Sequence, residues 1–231
     1  MRVAVLADIH GNLPALEAVL AEPDVGAADR VVLLGDIALG PMPGESLDLL
    51  ASLGERAVWV HGNCEREIVA AYDGADVPGP NGESARAAAS LLQPRHRALL
   101  LGLPLTLTVD VDGLGVVLFC HATPRRDDEF VLVDSPPPVW SRALAGVEEQ
   151  VVVVGHTHMP FDRLVDGRRC RCCRRREDAQ RVPVAPSRTR VGSARNEACV
   201  AAHCSRVAEG SGTRSSRHAF AGPRSSSRHM G

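Results

Sequence analysis

Five short apolar runs punctuate the first two thirds of the chain: "RVAVLA" (residues 2–7), "RVVLLG" (30–35), "RAVWV" (56–60), "VVLFC" (116–120) and "VVVVG" (151–155). Each is too short for a helix and rich in β-branched side chains, which predicts strands buried on both faces. Between the first two, Leu13, Leu16, Val19 and Leu20 share one face at helical spacing, with Asn12 placed to cap and Pro14 in the first turn. Leu47, Leu50 and Leu53 repeat that pattern. "TLTVDVDGLGVVLF" breaks the alternation, because Asp112-Gly113 between two strand-like runs predicts a hairpin. The chain therefore reads as α/β with some antiparallel pairing, without an internal repeat.

Composition changes this picture at one place. The 231 residues and 45% hydrophobic content suffice for one sizeable core. The apolar runs fall far short of the ~20 residues that span a bilayer, and no signal sequence opens the chain, so a cytoplasmic protein without membrane contact is expected. The formal charge of −2 averages two unlike pieces: residues 1–165 hold 11 Arg against 23 Asp and Glu, and residues 166–231 hold 15 Arg against 5. Five of the seven cysteines (Cys170, Cys172, Cys173, Cys199 and Cys204) lie in the second piece. We divide the chain into a folded domain at 1–165 and an Arg/Ser/Cys-rich tail at 166–231, whose composition buries too little apolar surface to fold and so predicts disorder. The chain contains no lysine, the mark of a GC-rich gene, and the tail has the vocabulary of such a gene read out of frame from about Arg169. That reading leaves the sheet without its closing strands. Two sharper readings of the tail are zinc held by Cys170, Cys172 and Cys173 with His203 and Cys204, at a spacing that fits no zinc motif, and salt-dependent nucleic-acid binding by the arginines.

The candidate chemistry lies just after the strands. "VAVLA" is followed by Asp8-Ile9-His10, "VVLLG" by Asp36, "VWVHG" by Asn63-Cys64-Glu65, "VVLFC" by His121, and "VVVVG" by His156-Thr157-His158. Taken singly, an Asp-x-His is more often a turn and cap, and a Gly-Asp a plain turn. Five loops together, at the carboxyl ends of buried strands, converge on one crevice in an open α/β sheet. Carboxylate, amide and imidazole donors in this number suit two cations that share a bridging carboxylate. His61, His96, His203, His218 and His229 stand outside the pattern and read as exposed or locally satisfied, although His61 lies beside Asn63.

The order DxH, GD, GN, H, GHTH resembles the calcineurin-like metallophosphoesterases, and "ADIHGNLPALEAVL" and "GHTHMPFDR" resemble their small bacterial and archaeal phosphodiesterase group over residues 1–165. The resemblance implies metallophosphoesterase-type sheet layers flanked by helices. It implies that Asp8, His10 and His158 bind one divalent metal, that Asn63, His121 and His156 bind a second, and that Asp36 bridges them. It further implies attack of a metal-activated hydroxide on a phosphodiester, or on a phosphomonoester, of a small molecule or nucleotide. Mn²⁺ is the working choice of ion, with Fe, Ni or Zn also suited to these ligands. Many members carry a histidine after the GN asparagine as the acid for the leaving group. Here Cys64 stands there, a residue that reads first as packing and second as an alternative proton donor. A scaffold subunit of the retromer coat, similar in fold with a degraded metal site, supplies the competing expectation of a protein-binding role without turnover. The oligomeric state is left open by the sequence.

Overall fold

The computed structural model describes residues 1–172 together with 203 and 204. The elements run β1 (Val3–Leu6), α1 (Leu13–Leu20), α2 (Pro23–Gly26), β2 (Arg30–Leu33), α3 (Pro43–Ala51), β3 (Ala57–Trp59), α4 (Asn63–Tyr72), α5 (Gly82–Ser90), α6 (Pro94–Leu101), β4 (Thr106–Val111), β5 (Gly115–Cys120), α7 (Pro137–Ala143), β6 (Val151–Val154), β7 (Phe161–Val165), β8 (Arg168–Cys172) and β9 (His203–Cys204). They build two sheets, ordered β3-β2-β1-β9 and β4-β5-β6-β8-β7. Pairing of β1 with β2 and of β2 with β3 is parallel. In the second sheet β5–β6 and β6–β8 are parallel, while β4–β5 and β7–β8 are antiparallel hairpins.

The period of two along each strand sorts the apolar side chains into three cores. Ala4 and Leu6 of β1 and Val31 and Leu33 of β2 face helices, meeting Leu16 of α1, Leu47 and Leu50 of α3, Ile68 of α4 and Leu100 of α6. Their alternates Val3, Val5 and Val32, with Leu34 just past β2, face Val117 and Phe119 of β5 and Val151 of β6 between the two sheets. On the far side of the second sheet Leu118, Cys120, Val152 and Val154 pack against Trp140 and Ala143 of α7. Buried strands with no polar face are thus explained: each sheet is covered twice. The expected cap of α1 is present, since Asn12 Oδ1 accepts the Ala15 amide at 3.2 Å. The expected Asp112-Gly113 turn joins β4 to β5, with Gly113 at φ 77°.

The structure departs from the sequence pattern after Val165. No strand was expected beyond that point, yet β8 continues the second sheet through Cys172. Val165 pairs with Arg168 across Asp166-Gly167, whose φ values of 48° and 80° are those of a tight two-residue hairpin. Cys170 and Cys172 point into the core beside Phe161 and Val165, while Arg169 clasps Asp162 on the neighbouring strand at 2.7 and 2.6 Å. A second departure is at β1, whose outer edge is paired antiparallel with β9 through Ala4↔Cys204 and Val5↔His203. Residues 173–202 and 205–231 lie outside the described residues, and with them the readings of a disordered tail, a shifted frame, a zinc site completed by Cys173 and a nucleic-acid-binding arginine run. Among the described residues no helix is long and apolar enough to cross a membrane.

Candidate metal centre

Each candidate residue is delivered by the turn that ends a buried strand, and the turns are unusual. Asp8, His10, Asp36, His156 and His158 all have positive φ, between 51° and 66°. Non-glycine residues rarely adopt this left-handed region, which costs on the order of 1–3 kcal/mol each and persists where the surroundings over-determine it. The surroundings do so here. The loop after β1 is zipped to the loop after β2 by three amides, Asp8 N–H to Gly35 O (3.2 Å), His10 N–H to Asp36 O (2.9 Å) and Gly11 N–H to Ile37 O (2.7 Å). Gly62 makes the close approach of the β3 loop possible, because a Cβ there would lie 2.2 Å from Asp36 Oδ1.

Six of the seven expected side chains come together, and Asn63 follows Gly62 in the adjoining turn. Among the described residues, three groups have ligand atoms mutually within 4.8 Å: Asp8, His10 and His158; His10, Asp36 and Cys64; and Asp36, His121 and His156. Within them His158 Nε2 is 3.4 Å from Asp8 Oδ1 and 3.3 Å from His10 Nε2. His121 Nε2 is 3.3 Å from Asp36 Oδ2 and 3.1 Å from His156 Nδ1. Two imidazole nitrogens ligating one cation at ~2.0–2.1 Å stand roughly 3 Å apart, so these separations fit shared coordination. One buried atom adds to the fit: Asn63 Oδ1 has no hydrogen-bond partner. Buried polar atoms are nearly always satisfied, and an orphan carbonyl oxygen next to this cluster suits a cation. Cys170 and Cys172 belong to none of these groups.

Electrostatics follow from burial and from the two carboxylates. Burial opposes charge on His121, but the Asp36 charge and hydrogen bond, aided by Asp8, raise its pKa to about 10. Its Nδ1 faces Leu34 O at 2.6 Å, so a backbone carbonyl orients Nε2 toward Asp36. A cation taking that nitrogen displaces a proton. Burial likewise opposes charge on Asp36, yet His121 and then His10 hold its carboxyl well below the usual range. His156 is pushed down by burial and by His121, whereas the hydrogen bond to Asp8 raises His158. Cys64 is buried, and burial followed by the Asp36 and Glu65 charges pushes its thiol far upward. A thiol so placed holds its proton tightly.

Three residues that shape the site escaped sequence reasoning. Glu65 is fully buried and spends both carboxylate oxygens on backbone: Oε2 accepts from Asp36 N–H (2.7 Å) and Gly62 N–H (2.8 Å), and Oε1 from Ile37 N–H (2.8 Å) and Ala38 N–H (3.2 Å). It clamps the loop carrying Asp36 to the turn that starts α4 and carries Asn63. Its place three residues after Gly62, where a glutamate reaches back to a helix start, was the available signal. Asp127 is buried, accepts Arg66 Nε at 2.8 Å and a terminal Arg66 nitrogen at 3.0 Å, and faces His61 Nδ1 at 3.4 Å. That contact gives His61 its role, and the hydrogen bond to Asp127 raises its pKa against the effect of burial. Phe130 lies with its ring centroid 4.3 Å from that of His156. Neither Asp127 nor Phe130 sits in a recognisable spacing. His96, by contrast, is satisfied locally, with Nε2 2.9 Å from Asp48.

The chain has recognisable relatives. The profile of the calcineurin-like phosphoesterase superfamily domain matches residues 1–175. An uncharacterised protein of Methanocaldococcus jannaschii is 28% identical over 163 residues, covering 69% of this chain and 63% of that protein, so the chain spans less than two thirds of that relative's length. Among solved structures, a metallophosphoesterase from Sphaerobacter thermophilus is 26% identical with a TM-score of 0.58, over 74% of this chain and 75% of that one. A hypothetical protein from Pyrococcus horikoshii OT3 is similar in fold, with a TM-score of 0.63 at 23% identity over the same shares of the two chains.

Proposed function

Because the chain belongs to the calcineurin-like phosphoesterase superfamily, we propose that it hydrolyses phosphoester bonds, phosphodiesters foremost, at a centre of two divalent cations. The observation that carries this reading is the position of Asp36. Its Oδ2 lies 3.3 Å from His121 Nε2 and 4.0 Å from His10 Nε2, so one carboxylate reaches both clusters. On this reading Asp8, His10 and His158 hold one ion, Asn63, His121 and His156 hold the other, and Asp36 serves both. Imidazole and carboxylate donors favour Mn²⁺, Fe, Ni or Zn over Ca²⁺, and Mn²⁺ is our working ion. Such ions would supply Lewis acidity, lowering the pKa of water and neutralising phosphoryl oxygens.

The chain's own groups do the rest. The Leu34 carbonyl fixes the ring of His121, Asp8 accepts the His156 amide at 3.2 Å, and Glu65 holds the two loops at one separation. Asn63 Nδ2 donates to Glu67 at 3.3 Å, and its buried carbonyl oxygen, without a hydrogen-bond partner, is the atom left for a cation. The substrate is a small-molecule or nucleotide phosphoester met in the cytoplasm. The test is a Mn²⁺ titration of the metal-stripped full chain followed by hydrolysis of bis(p-nitrophenyl) phosphate. Saturable activation is expected. Absence of turnover at saturating Mn²⁺, Fe²⁺, Ni²⁺ and Zn²⁺ alike would replace the enzyme reading with that of a metal-binding scaffold.

A further inference from the structure

The chain is poor in aromatic residues, with four phenylalanines, two tryptophans and one tyrosine, and it places most of the described rings where they are covered. Phe119 and Phe161 are in the core, and Trp140 is buried with its indole N–H donated to Leu132 O. Phe130 is different: it is 66% exposed, and its ring centroid is 4.3 Å from that of His156 at an interplanar angle of 42°. The next residue, Val131, is buried, so the backbone turns one side chain into the core and its neighbour out over the metal-capable cluster.

The segment that presents Phe130 is braced. It leaves β5 at His121 and is closed on itself by Thr123 N–H to Arg126 O (3.0 Å) and Arg126 N–H to Thr123 O (3.3 Å). Thr123 Oγ1 donates to Glu129 at 2.8 Å, and Asp127 ties the middle of the segment to Arg66 on α4. A phenyl ring held in water beside a cluster of charges gives up burial that other positions in the fold could provide. An exposed aromatic face on a rigid support is the element that binds flat rings, because every aromatic ring offers a π-face for stacking.

We propose that Phe130 is a stacking platform for a flat aromatic group carried by the substrate, so that the site prefers aryl or nucleobase-bearing phosphoesters over alkyl ones. This rests on the phosphoesterase reading above, which puts the phosphoryl group at the cations, one of them held by His156. An aromatic ring attached directly to the ester oxygen, or through a ribose, then falls over the exposed face of Phe130. The shared chemistry is the ring; the linker separates the two sources.

The experiment is calorimetric titration of the Mn²⁺-loaded full chain with inorganic phosphate, ribose 5-phosphate, phenyl phosphate and AMP. Wild type is expected to bind phenyl phosphate or AMP about tenfold tighter than the ring-free ligands, within the range of single aromatic stacking contacts. Phe130→Ala should remove that advantage, read as the ratio of ring-bearing ligand to inorganic phosphate affinity within the same variant, and Phe130→Trp should restore it. An advantage confined to AMP assigns the platform to a nucleobase, and one confined to phenyl phosphate to a directly attached ring. Equal binding of ring-bearing and ring-free ligands by wild type, or an advantage that survives in Phe130→Ala, overturns the platform alone. Failure of inorganic phosphate to bind at all overturns the phosphoesterase reading and the platform with it. Because the side chain is exposed, its removal leaves the core intact.

Discussion

Asp36 and Asn63 sit in turns that the buried Glu65 side chain clamps by satisfying four amides, and His121 is buried beside them, whereas the side chains of His10 and His158 stand at the rim. The side chains of Asp36 and His121 are 5% and 0% exposed, against 19% and 39% for His10 and His158. Both halves offer the same chemical types, so the difference lies in what holds them. The inner half is fixed by buried hydrogen bonds whose loss leaves uncompensated polar groups. The side chains of the outer half can relax into solvent. Loss of an inner ligand should therefore damage the centre irreparably, and loss of an outer one should weaken it in a way that excess metal corrects.

The largest effect is expected at Asp36. Asp36→Ala removes the carboxylate that both clusters share and leaves His121 without the group that sets its charge. Hydrolysis of bis(p-nitrophenyl) phosphate should vanish and stay absent when Mn²⁺ is raised a hundredfold. Wild-type turnover in this variant would break the two-cation reading.

Glu65→Gln comes next and tests whether the clamp, rather than the ligands alone, defines the inner half. A glutamine offers one acceptor oxygen and one NH₂ group, so two of the four amides that Glu65 now satisfies would face a donor in either orientation. The protein should lose about 2–4 kcal/mol of stability and about 10- to 100-fold in metal affinity, by chemical denaturation and metal titration respectively. Unchanged metal affinity would show that the clamp supports the fold only. His158→Ala, on the outer half, should raise the Mn²⁺ requirement about 10- to 100-fold while approaching wild-type turnover at saturation. A loss that excess Mn²⁺ does not repair would erase the distinction between the halves.

The candidate site was legible because its proposed ligands follow strands that the apolar pattern marks plainly, and the strand-to-residue order survives any error in the elements between. The left-handed turns at Asp8, His10, Asp36, His156 and His158 were not legible, since no side-chain type demands them; they are imposed by the zipped loops. The two Asp-Gly hairpins show how a signal can be overruled. Asp112-Gly113 lies between obvious β-branched runs and was read correctly. Asp166-Gly167 lies before "RRCRC", where composition looked unlike a strand although the period was intact, with Arg169 and Arg171 on one face and Cys170 and Cys172 buried on the other. A buried cysteine acts as a small hydrophobe, and reading it as one would have extended the sheet. Helix α4 was equally hidden, because Asn63-Cys64-Glu65 drew attention as ligands and not as a first turn.

The smallest effect is expected at Cys64, and it sharpens the comparison because this residue belongs to the inner half without serving it chemically. The resemblance to other phosphoesterases puts a histidine acid at this place, and proton donation by such a group is worth ~10²–10⁴-fold when the leaving group needs it. The Cys64 thiol is buried, and burial together with the Asp36 and Glu65 charges makes release of its proton harder still. Without an efficient donor, esters of acidic alcohols such as p-nitrophenol should be cleaved much faster than alkyl esters, since p-nitrophenolate departs without a proton. Cys64→Ser keeps nearly the same shape and should change the rate on bis(p-nitrophenyl) phosphate by less than about twofold, the range of a surface-like perturbation. Cys64→His should raise the rate on alkyl diesters and barely move the aryl rate, provided metal titration shows both ions still bound. The decisive outcome is a large loss in Cys64→Ser on alkyl diesters with metal content unchanged. That result would make the cysteine the proton donor, and the inner half would then contain a working acid as well as a scaffold.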